Sequence, residues 1–449
     1  MRSVRIGNGC GFWGDNIDAP VLLAESGRLN YLALEYLAEL TMSILALQKQ
    51  RDSNAGFATD FLEVLERLTP TLHKQPALKI ITNAGGMNAA ACAARAKEIL
   101  NKAGLENRLV AVVSGDDLMA RLDTLLANGH PLANSDTNEP LSVIRERVVS
   151  ANAYLGARPI VEALNRGASV VITGRVADAS LTLGPAVHEF GWAWNDWDRL
   201  SAGTVAGHLI ECGAQATGGL WCNWREAPDC ADVGYPIAEI ESDGRFRLTK
   251  PEGSGGAVNC ETASEQLLYE VGDPAAYLTP DVTADFTSVT LSSVAKDVVE
   301  ISGARGKPAT DSYKVSIAYR DGFTSSGMLL IAGPEAASKA HRCGEIILER
   351  LRRAGADLQA TNIECLGTGA SAPGVLPAAN PPEVVLRVTA RDSRRAAVER
   401  FTKEFAPLVT SGPPGVTGYT TGRPTVREVF AYWPALIAKS AVNSEVHTI

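Results

Sequence analysis

Four stretches of the chain share one design, in which an apolar β-like run leads through a glycine-rich or polar loop into a helix-forming segment. In a parallel sheet, the loops that follow the strands gather at one edge, and open α/β sheets bind their ligands there. The pattern therefore predicts an α/β protein with an N-terminal Rossmann-like parallel sheet and one site built from loops. The stretches are residues 4–15, 79–88, 109–117 and 169–180.

The 449 residues are enough for more than one domain. After the first loop, residues 21–50 carry apolar side chains at helical spacing, which predicts a long helix. The alternation of strand and helix signals changes character near residue 225, and strand-like runs later mix with two helices. We expect residues 1–225 to form the Rossmann-like domain with the site loops. Residues 226–449 are expected to form an α+β domain that closes over the site.

Charge and apolar patterning exclude several classes of function. The 42 basic and 51 acidic residues give a net charge of −9, which disfavours nucleic acid as a partner because phosphate contacts need clustered Lys and Arg. No apolar run is long enough to cross a bilayer, and the N-terminus lacks an apolar signal core. We therefore expect a cytoplasmic protein that has no membrane partner. The eight cysteines form no C-x-x-C pair, so neither a zinc ribbon nor a redox dithiol is indicated.

The first loop, GNGCGFWGD, contains Gly9, Gly11 and Gly14 at the spacing of a dinucleotide-binding turn. No acidic residue clearly ends a second strand about 20 residues further on, as a dinucleotide ribose site requires. A cradle for an anion or a carboxylate, formed by Gly9, Gly11 and Asp15, is favoured over NAD, and we predict no cofactor. A tight βα turn is the structural alternative.

The second and third loops add polar groups near predicted helix starts. Gly85 and Gly86 suit anion binding by exposed N–H groups, and Asn83 and Asn88 could hydrogen-bond a ligand. The alternative for Asn88 is capping of the helix that follows. In the third loop, Ser114 and Asp116 are candidate binding residues.

Arg175 and Asp178 form the sharpest local signal, because they follow the apolar strand SVVITG directly. An Arg at such a position can grip a carboxylate or phosphate bidentately, and the Asp could act as a general base. The alternative is a structural ion pair that braces the loop.

His208 and Glu211 lie three residues apart, on one face of a predicted helix. They could form an acid/base pair or part of a metal site. With only six histidines and no second set of ligands at suitable spacing, we predict no metal.

Taken together, several segments resemble the acyclic terpene utilisation family, and they follow one order between residues 6 and 437. The resemblance implies catabolism of branched acyclic terpenoid acids that are handled as coenzyme A thioesters. Many members carry a further C-terminal domain or a small companion chain, which leaves room for a companion subunit here. The segments are IGNGCGFWGD, GRLNYLALEYLAELTM, NAGGMN, YLGARPIVEAL, VITGRVADASLTLGP, AGHLIECGAQATGG, GGAVNCETASEQLLYEVGDPAAYLTPDV and VREVFAYWPALI.

Carboxylates and an Arg without a cofactor motif favour lyase chemistry, the hydration or elimination of a carboxylic acid or its coenzyme A thioester. Arg175 would hold a carboxylate or oxyanion, Asp178 or Glu211 would move the α-proton, and His208 would serve the leaving hydroxyl group. The loop glycines would donate N–H groups to the developing enolate. The alternatives are a hydrolase of a thioester or amide, and a non-catalytic binding subunit of a catabolic complex. We also expect a homo-oligomer.

Overall fold

The computed structural model describes residues 2–376 and 380–449. These residues form two compact units: unit 1 holds the described residues up to Ala318 together with Tyr432–Ile449, and unit 2 holds Tyr319–Ala431. The sequence prediction placed a boundary at residue 225. In the structure, five strands that follow this residue belong to the sheet of unit 1.

Strands and helices alternate through the first half of the described chain. The strands are β1 (Ser3–Asn8), β2 (Tyr31–Leu34), β3 (Lys79–Thr82), β4 (Val110–Ser114), β5 (Val148–Ala153), β6 (Val170–Thr173), β7 (Ile237–Glu241), β8 (Phe246–Thr249), β9 (Tyr277–Leu278), β10 (Thr283–Asp285), β11 (Thr290–Ala295), β12 (Val298–Ser302), β13 (Arg305–Lys307), β14 (Ser312–Ala332), β15 (Ala360–Leu366), β16 (Glu383–Asp392), β17 (Val416–Tyr419), β18 (Arg427–Ala438) and β19 (Glu445–Thr448). The α-helices are α1 (Ala19–Ser26), α2 (Glu39–Arg51), α3 (Asp60–Lys74), α4 (Ala89–Lys102), α5 (Leu122–Ala127), α6 (Arg158–Asn165), α7 (Ser180–Phe190), α8 (Trp197–Glu211), α9 (Cys260–Leu268), α10 (Ala336–Arg353), α11 (Arg395–Thr402) and α12 (Leu408–Ser411).

Unit 1 is built on a ten-stranded mixed sheet with the order β11-β12-β8-β7-β1-β2-β3-β6-β4-β19. Its five central strands are parallel, and β7 and β19 pair antiparallel at either side of them. The parallel strands are β1, β2, β3, β6 and β4 in their order across the sheet. The predicted α/β class with parallel strands is therefore confirmed. The order differs from the 3-2-1-4-5-6 order of dinucleotide-binding sheets.

The long helix predicted over residues 21–50 is wrong, because this stretch forms α1, then β2, then α2. All four residues of β2 are buried, and the strand pairs in parallel with β1 and β3. A short apolar run that is buried on both faces cannot be told from a helix by spacing alone. The correction matters for the site, since Glu35 follows β2 directly.

Helices α1, α3 and α4 pack on one face of the parallel strands of unit 1. The buried face of α3 illustrates the packing, with Phe61, Val64, Leu65, Leu68 and Leu72 at helical spacing in one core cluster with Leu32 and Ile80. Among the described residues, no helix combines the length and the apolar character that a membrane crossing needs.

Unit 2 is an antiparallel sheet with helices packed on it. Strands β15, β16, β14 and β17 are neighbours in this order, with Leu329 opposite Leu386. Helices α10 and α11 contribute Ile347 and Phe401 to its core. The long strands β14 and β18 are divided between the units, since residues 312–318 and 432–438 belong to unit 1.

Candidate functional site

Five polar side chains stand at the carboxyl ends of the five parallel strands of unit 1. Asn8 ends β1, Glu35 follows β2, Asn83 follows β3, Asp116 follows β4, and Arg175 follows β6. All five residues are buried, with 0–4% of their surface exposed. Charged and amide groups are seldom buried without partners, so each of them needs an account of its contacts.

Arg175 lies at the centre of this group. Its Nη1 donates a hydrogen bond of 2.8 Å to the Leu37 carbonyl and lies 3.7 Å from Glu35 Oε1. Nη1 is also 2.8 Å from Asp178 Oδ1, although this contact lacks the alignment of a hydrogen bond. The guanidinium packs 4.2 Å from the centre of the Tyr154 ring. The ion-pair alternative for Arg175 and Asp178 thus describes a contact that the structure contains.

Glu35 is fixed by backbone and amide donors on one side only. Its Oε1 accepts hydrogen bonds from Asn83 Nδ2 and from the Leu37 N–H, while Asn83 Oδ1 accepts the Tyr36 N–H at 2.8 Å. The other carboxylate oxygen, Oε2, is buried and has no hydrogen-bond partner among the described residues. Asn83 therefore orients Glu35 and leaves one of its oxygens free.

Asp116 braces the loop that carries Arg175. Its Oδ2 accepts hydrogen bonds of 2.8 Å from the Arg175 backbone N–H and from Asn152 Nδ2. A Cβ at Gly174 would lie 2.3 Å from Asp116 Oδ1, so only glycine permits this approach. Burial raises the pKa of Asp116 to about 6, although both hydrogen bonds oppose the rise.

Glu35 faces Asp178 and Glu211 across a narrow space that we call the carboxylate cavity. Asn8 and Thr182 complete its polar lining, and Leu181 and Ile210 are among its apolar residues. The space nowhere admits a sphere the size of a water molecule. The three acidic side chains are therefore drawn closely together.

Close packing of two helices brings Glu211 to the cavity. A Cβ at Gly207 would lie 2.7 Å from the Cα atom and the carbonyl oxygen of Ala179, so α8 approaches the start of α7 at this glycine. Glu211 lies one turn further along α8, and Asp178 lies just before Ala179.

His208 supports Glu211 from inside the protein. Its Nδ1 lies 3.1 Å from Glu211 Oε1, and its ring packs 5.5 Å from Tyr277 and 5.4 Å from Phe286. Burial lowers the pKa of His208, but the charge and the hydrogen bond of Glu211 outweigh burial, and the net pKa is raised. The pair predicted from its spacing is thus in contact, with His208 buried behind Glu211.

Two acidic groups of the cavity, Glu35 and Asp178, have raised pKa values. Burial and the charge of Asp178 raise the pKa of Glu35 well above its usual range, although Arg175 opposes the rise. Burial and the charge of Glu211 raise the pKa of Asp178 to about 6, again against Arg175. The side chain of Asp178 keeps 35% of its surface exposed, so the neighbouring carboxylates, and not burial alone, account for its raised pKa.

A second group of charges lies close to the Tyr154 ring. Lys314 Nζ is 4.7 Å from the ring centre, and both Lys314 and the Tyr154 hydroxyl donate hydrogen bonds to Glu39, at 3.1 and 2.6 Å. These bonds, with the charges of Lys314 and Arg175, lower the pKa of Glu39 to about 2 despite its burial. Tyr154 therefore contacts both Arg175, through its ring, and Glu39, through its hydroxyl group.

Three glycines of the first two loops donate their N–H groups to partners within the protein. Gly9 donates to the Ala33 carbonyl at 3.0 Å, and Gly11 donates to Asp15 Oδ2 at 2.8 Å. Gly86 donates to the Asn83 carbonyl at 3.1 Å and has a φ of +48°, which favours glycine. A Cβ at Gly85 would lie 2.5 Å from the Thr173 carbonyl oxygen.

The remaining predicted site residues also have partners within unit 1 or lie at its edge. The carboxylate of Asp15 accepts the Tyr235 hydroxyl at 2.5 Å. Asn88 caps α4 by accepting the Ala91 N–H and donates to the carbonyls of Ser53 and Ala55. Ser114 ends β4 opposite Glu445 of β19.

Sequence reasoning missed Glu35 and Asn8, which are two of the five polar residues that line the cavity. Glu35 falls within the long helix that the spacing predicts, whereas a signal was present in YLAL, four apolar residues followed at once by an acid. Asn8 precedes the glycines that drew attention in its loop. Among residues 2–376 and 380–449, no group of three or more His, Cys, Asp or Glu side chains has the geometry to hold a metal ion.

Comparison with known proteins gives one match over nearly the whole chain. The model of a family described as acyclic terpene utilisation family protein AtuA matches residues 4–448. No curated protein and no solved structure matches the chain.

Proposed function

The chain belongs to the acyclic terpene utilisation family, which implies a role in acyclic terpene catabolism, and we propose that it acts there as a hydro-lyase. Its substrate would be a branched carboxylic acid or the coenzyme A thioester of one. A hydratase or dehydratase needs one group that accepts a proton and another that donates one, both close to the reacting carbons.

One observation carries the proposal: Glu35 and Asp178 face the same cavity, share a single Arg, and both have raised pKa values. Titratable groups whose pKa values are shifted by burial and by one another are typical of active sites. Asp178, with a pKa of about 6, is mostly ionised at pH 7 and suits the base. The pKa of Glu35 is raised well above its usual range by burial and by the charge of Asp178, so Glu35 suits the acid.

In the elimination, the Asp178 carboxylate takes the α-proton and the electrons of that C–H bond form the double bond. The β-hydroxyl leaves as water with the proton of Glu35. Hydration is the reverse reaction. Arg175 contacts both carboxyl groups and acts as a positioning residue, and His208 acts through Glu211.

The closed cavity requires a movement before substrate enters, because it admits no water-sized sphere. Glu35 lies on the β2–α2 connection and Asp178 on the β6–α7 connection, so separation of these two loops would open it. Loop opening and closing of this kind is common in enzymes that exclude water from the reaction.

A panel of branched enoyl and acyl thioesters tests the proposal. The expected product from the enoyl thioesters is the hydrated acyl thioester, detected by mass spectrometry as the addition of water. Release of free thiol would instead identify a thioester hydrolase. Binding without any product would identify a binding subunit and overturn the enzymatic proposal.

A further inference from the structure

Every buried polar atom that lines the carboxylate cavity without a partner is an oxygen that can accept a hydrogen bond. The four atoms are Asn8 Oδ1, Glu35 Oε2, Asp178 Oδ1 and Glu211 Oε2, and none of them has a hydrogen-bond partner among the described residues. Only Asp178 Oδ1 has an ionic contact, with Arg175 Nη1 at 2.8 Å. A buried acceptor that is left without a hydrogen bond destabilises the protein. The convergence of four therefore indicates a site whose ligand supplies hydrogen-bond donors.

Asn8 holds one acceptor of this site in a fixed orientation. Asn8 has 1% of its surface exposed, and its Nδ2 donates two hydrogen bonds of 2.7 Å, to the carbonyls of Ile210 and Glu211. Because both N–H bonds of the amide are used on α8, Oδ1 must be the atom that remains for the cavity. Unlike a carboxylate, this acceptor keeps its character at every pH.

The lining disfavours an anionic group inside the cavity. A carboxylate or phosphate brings only acceptors and negative charge, which would meet Glu35, Asp178 and Glu211 at close range. Arg175 is not among the residues that line the cavity, and its Nη1 is already directed to Glu35, Asp178 and the Leu37 carbonyl. Its Nε is buried without a hydrogen-bond partner among the described residues. An alcohol fits better, because its O–H donates to an acceptor while its oxygen accepts a proton from a neutral carboxyl group.

We propose that the carboxylate cavity binds the hydroxyl-bearing carbon of a branched alcohol, and that the carboxylate or thioester end of that ligand remains outside. Asn8 is then the specificity-determining residue, because its Oδ1 accepts a hydrogen bond from the hydroxyl group. This inference rests on the proposed function, since the bound hydroxyl is the one that elimination would remove.

The test is a matched pair of ligands on the unaltered protein. The pantetheine thioesters of 3-hydroxy-3-methylbutanoic acid and 3-methylbutanoic acid differ only in the hydroxyl group. We expect the hydroxylated ligand to bind about tenfold more tightly in isothermal titration calorimetry, because its hydroxyl makes hydrogen bonds with both Asn8 and a neutral carboxyl group. Equal affinities, or tighter binding of the ligand without the hydroxyl, would overturn the proposal.

Two further measurements distinguish a hydroxyl site from a cation site and from a folding defect. In Asn8→Ala, the ratio of the two affinities should fall toward one, and a thermal melt reports whether the variant folds. If that variant fails to fold, the ligand pair on the unaltered protein still decides the question. Stoichiometric binding of Mg²⁺ or Ca²⁺ that abolishes the hydroxyl preference would show that the four oxygens hold a cation, which contradicts the proposal.

Failure of this inference can be distinguished from failure of the proposed function. Hydroxyl preference without any interconversion of the enoyl and hydroxyacyl thioesters would leave the binding site standing and remove the lyase. Interconversion without hydroxyl preference would keep the lyase and remove this assignment of the cavity.

Discussion

In unit 2, Glu364 accepts two hydrogen bonds from Arg387, at 2.6 and 2.7 Å, and the pKa of Glu364 is lowered by this contact. In unit 1, Glu35 and Asp178 share Arg175, neither oxygen contact has the geometry of a charge-assisted hydrogen bond, and both pKa values are raised. The same residue types thus give opposite electrostatic results.

Burial and hydrogen-bond partners together explain the difference, since burial is the largest cause of the raised pKa values of Glu35 and Asp178. Asp392 of unit 2 is fully buried, yet hydrogen bonds from Arg394 lower its pKa to about 2. Fully paired carboxylates of this kind stabilise the ionised form and the fold. Crowded carboxylates with unpaired oxygens cost stability, and proteins keep such arrangements mainly at functional sites. The comparison predicts that buried polar side chains with full sets of hydrogen bonds stabilise the fold, and that those with unpaired atoms take part in the function.

The largest effect should come from Arg175→Met. Removal of this buried cation leaves the Asp178 carboxylate without its counter-charge, and the free energy of unfolding should fall by about 3–5 kcal/mol in chemical denaturation. The matched change in unit 2, Arg387→Met, should cost about 1 kcal/mol because that side chain is 34% exposed.

The double variant Arg175→Met/Asp178→Asn sharpens this test. Because Asp178→Asn removes the unpaired charge, the double variant should recover part of the loss. Additive losses would show that Arg175 does not neutralise Asp178.

The next effect concerns catalysis at Glu35 and Asp178. Glu35→Gln and Asp178→Asn should each lower hydration of the enoyl thioester by about 100-fold, as loss of a general acid or base does. Neither change should lower the melting temperature, because each replaces a carboxyl group whose ionised form the cavity disfavours. The control is Glu364→Gln of unit 2, for which turnover should stay the same. A stable fold with unchanged turnover in both cavity variants would break the comparison.

Asp392 should show the opposite dependence on pH from the cavity carboxylates. Its folded-state pKa of about 2 lies below the unfolded value, so its contribution to stability is present above about pH 4 and is lost as the pH falls through 2. At pH 7, Asp392→Asn should cost about 2 kcal/mol. Urea denaturation from pH 7 to pH 2.5 measures the difference, which should shrink toward acid.

For a raised pKa, the sign reverses. Asp178 contributes stability that is fully present below about pH 4 and is lost as the pH rises through about 6. The stability of Asp178→Asn relative to the unaltered protein should therefore increase from pH 4 to pH 7. A constant difference over this range would contradict the raised pKa.

The parallel strands and their loops could be predicted because apolar β-like runs followed by glycines have few structural alternatives. The hairpin of β7 and β8, with its turn at Ser242, Asp243 and Gly244, was also predictable from its turn residues. Strand β2 could not be predicted from spacing, and Glu35 was lost with it.

The sequence also could not predict which polar residues shape the cavity and which only stabilise the fold. Asn83 and Asn88 share one loop and one side-chain chemistry, yet Asn83 orients Glu35 and Asn88 caps a helix. The two fates depend on Tyr36, Ser53 and Ala55, which lie 33–47 residues away along the chain. Pairings over such separations leave no local pattern.

The smallest effect should be that of Asn88→Ala, which applies the comparison within unit 1. Every polar group of the Asn88 side chain has a partner: Oδ1 accepts the Ala91 N–H, and Nδ2 donates to the carbonyls of Ser53 and Ala55 at 2.9 and 2.8 Å. Because its side chain is fully hydrogen-bonded, we expect Asn88 to stabilise the fold and not to bind the ligand. Loss of the cap should cost about 1 kcal/mol of stability and leave turnover within about twofold. Asn88→Ser keeps a capping oxygen and should lose less. If Asn88→Ala stays folded but loses turnover or ligand affinity by tenfold or more, a fully partnered side chain would be carrying function. The loop from Asn83 to Asn88 would then act on the ligand as a unit, and unpartnered atoms would no longer mark where the site ends.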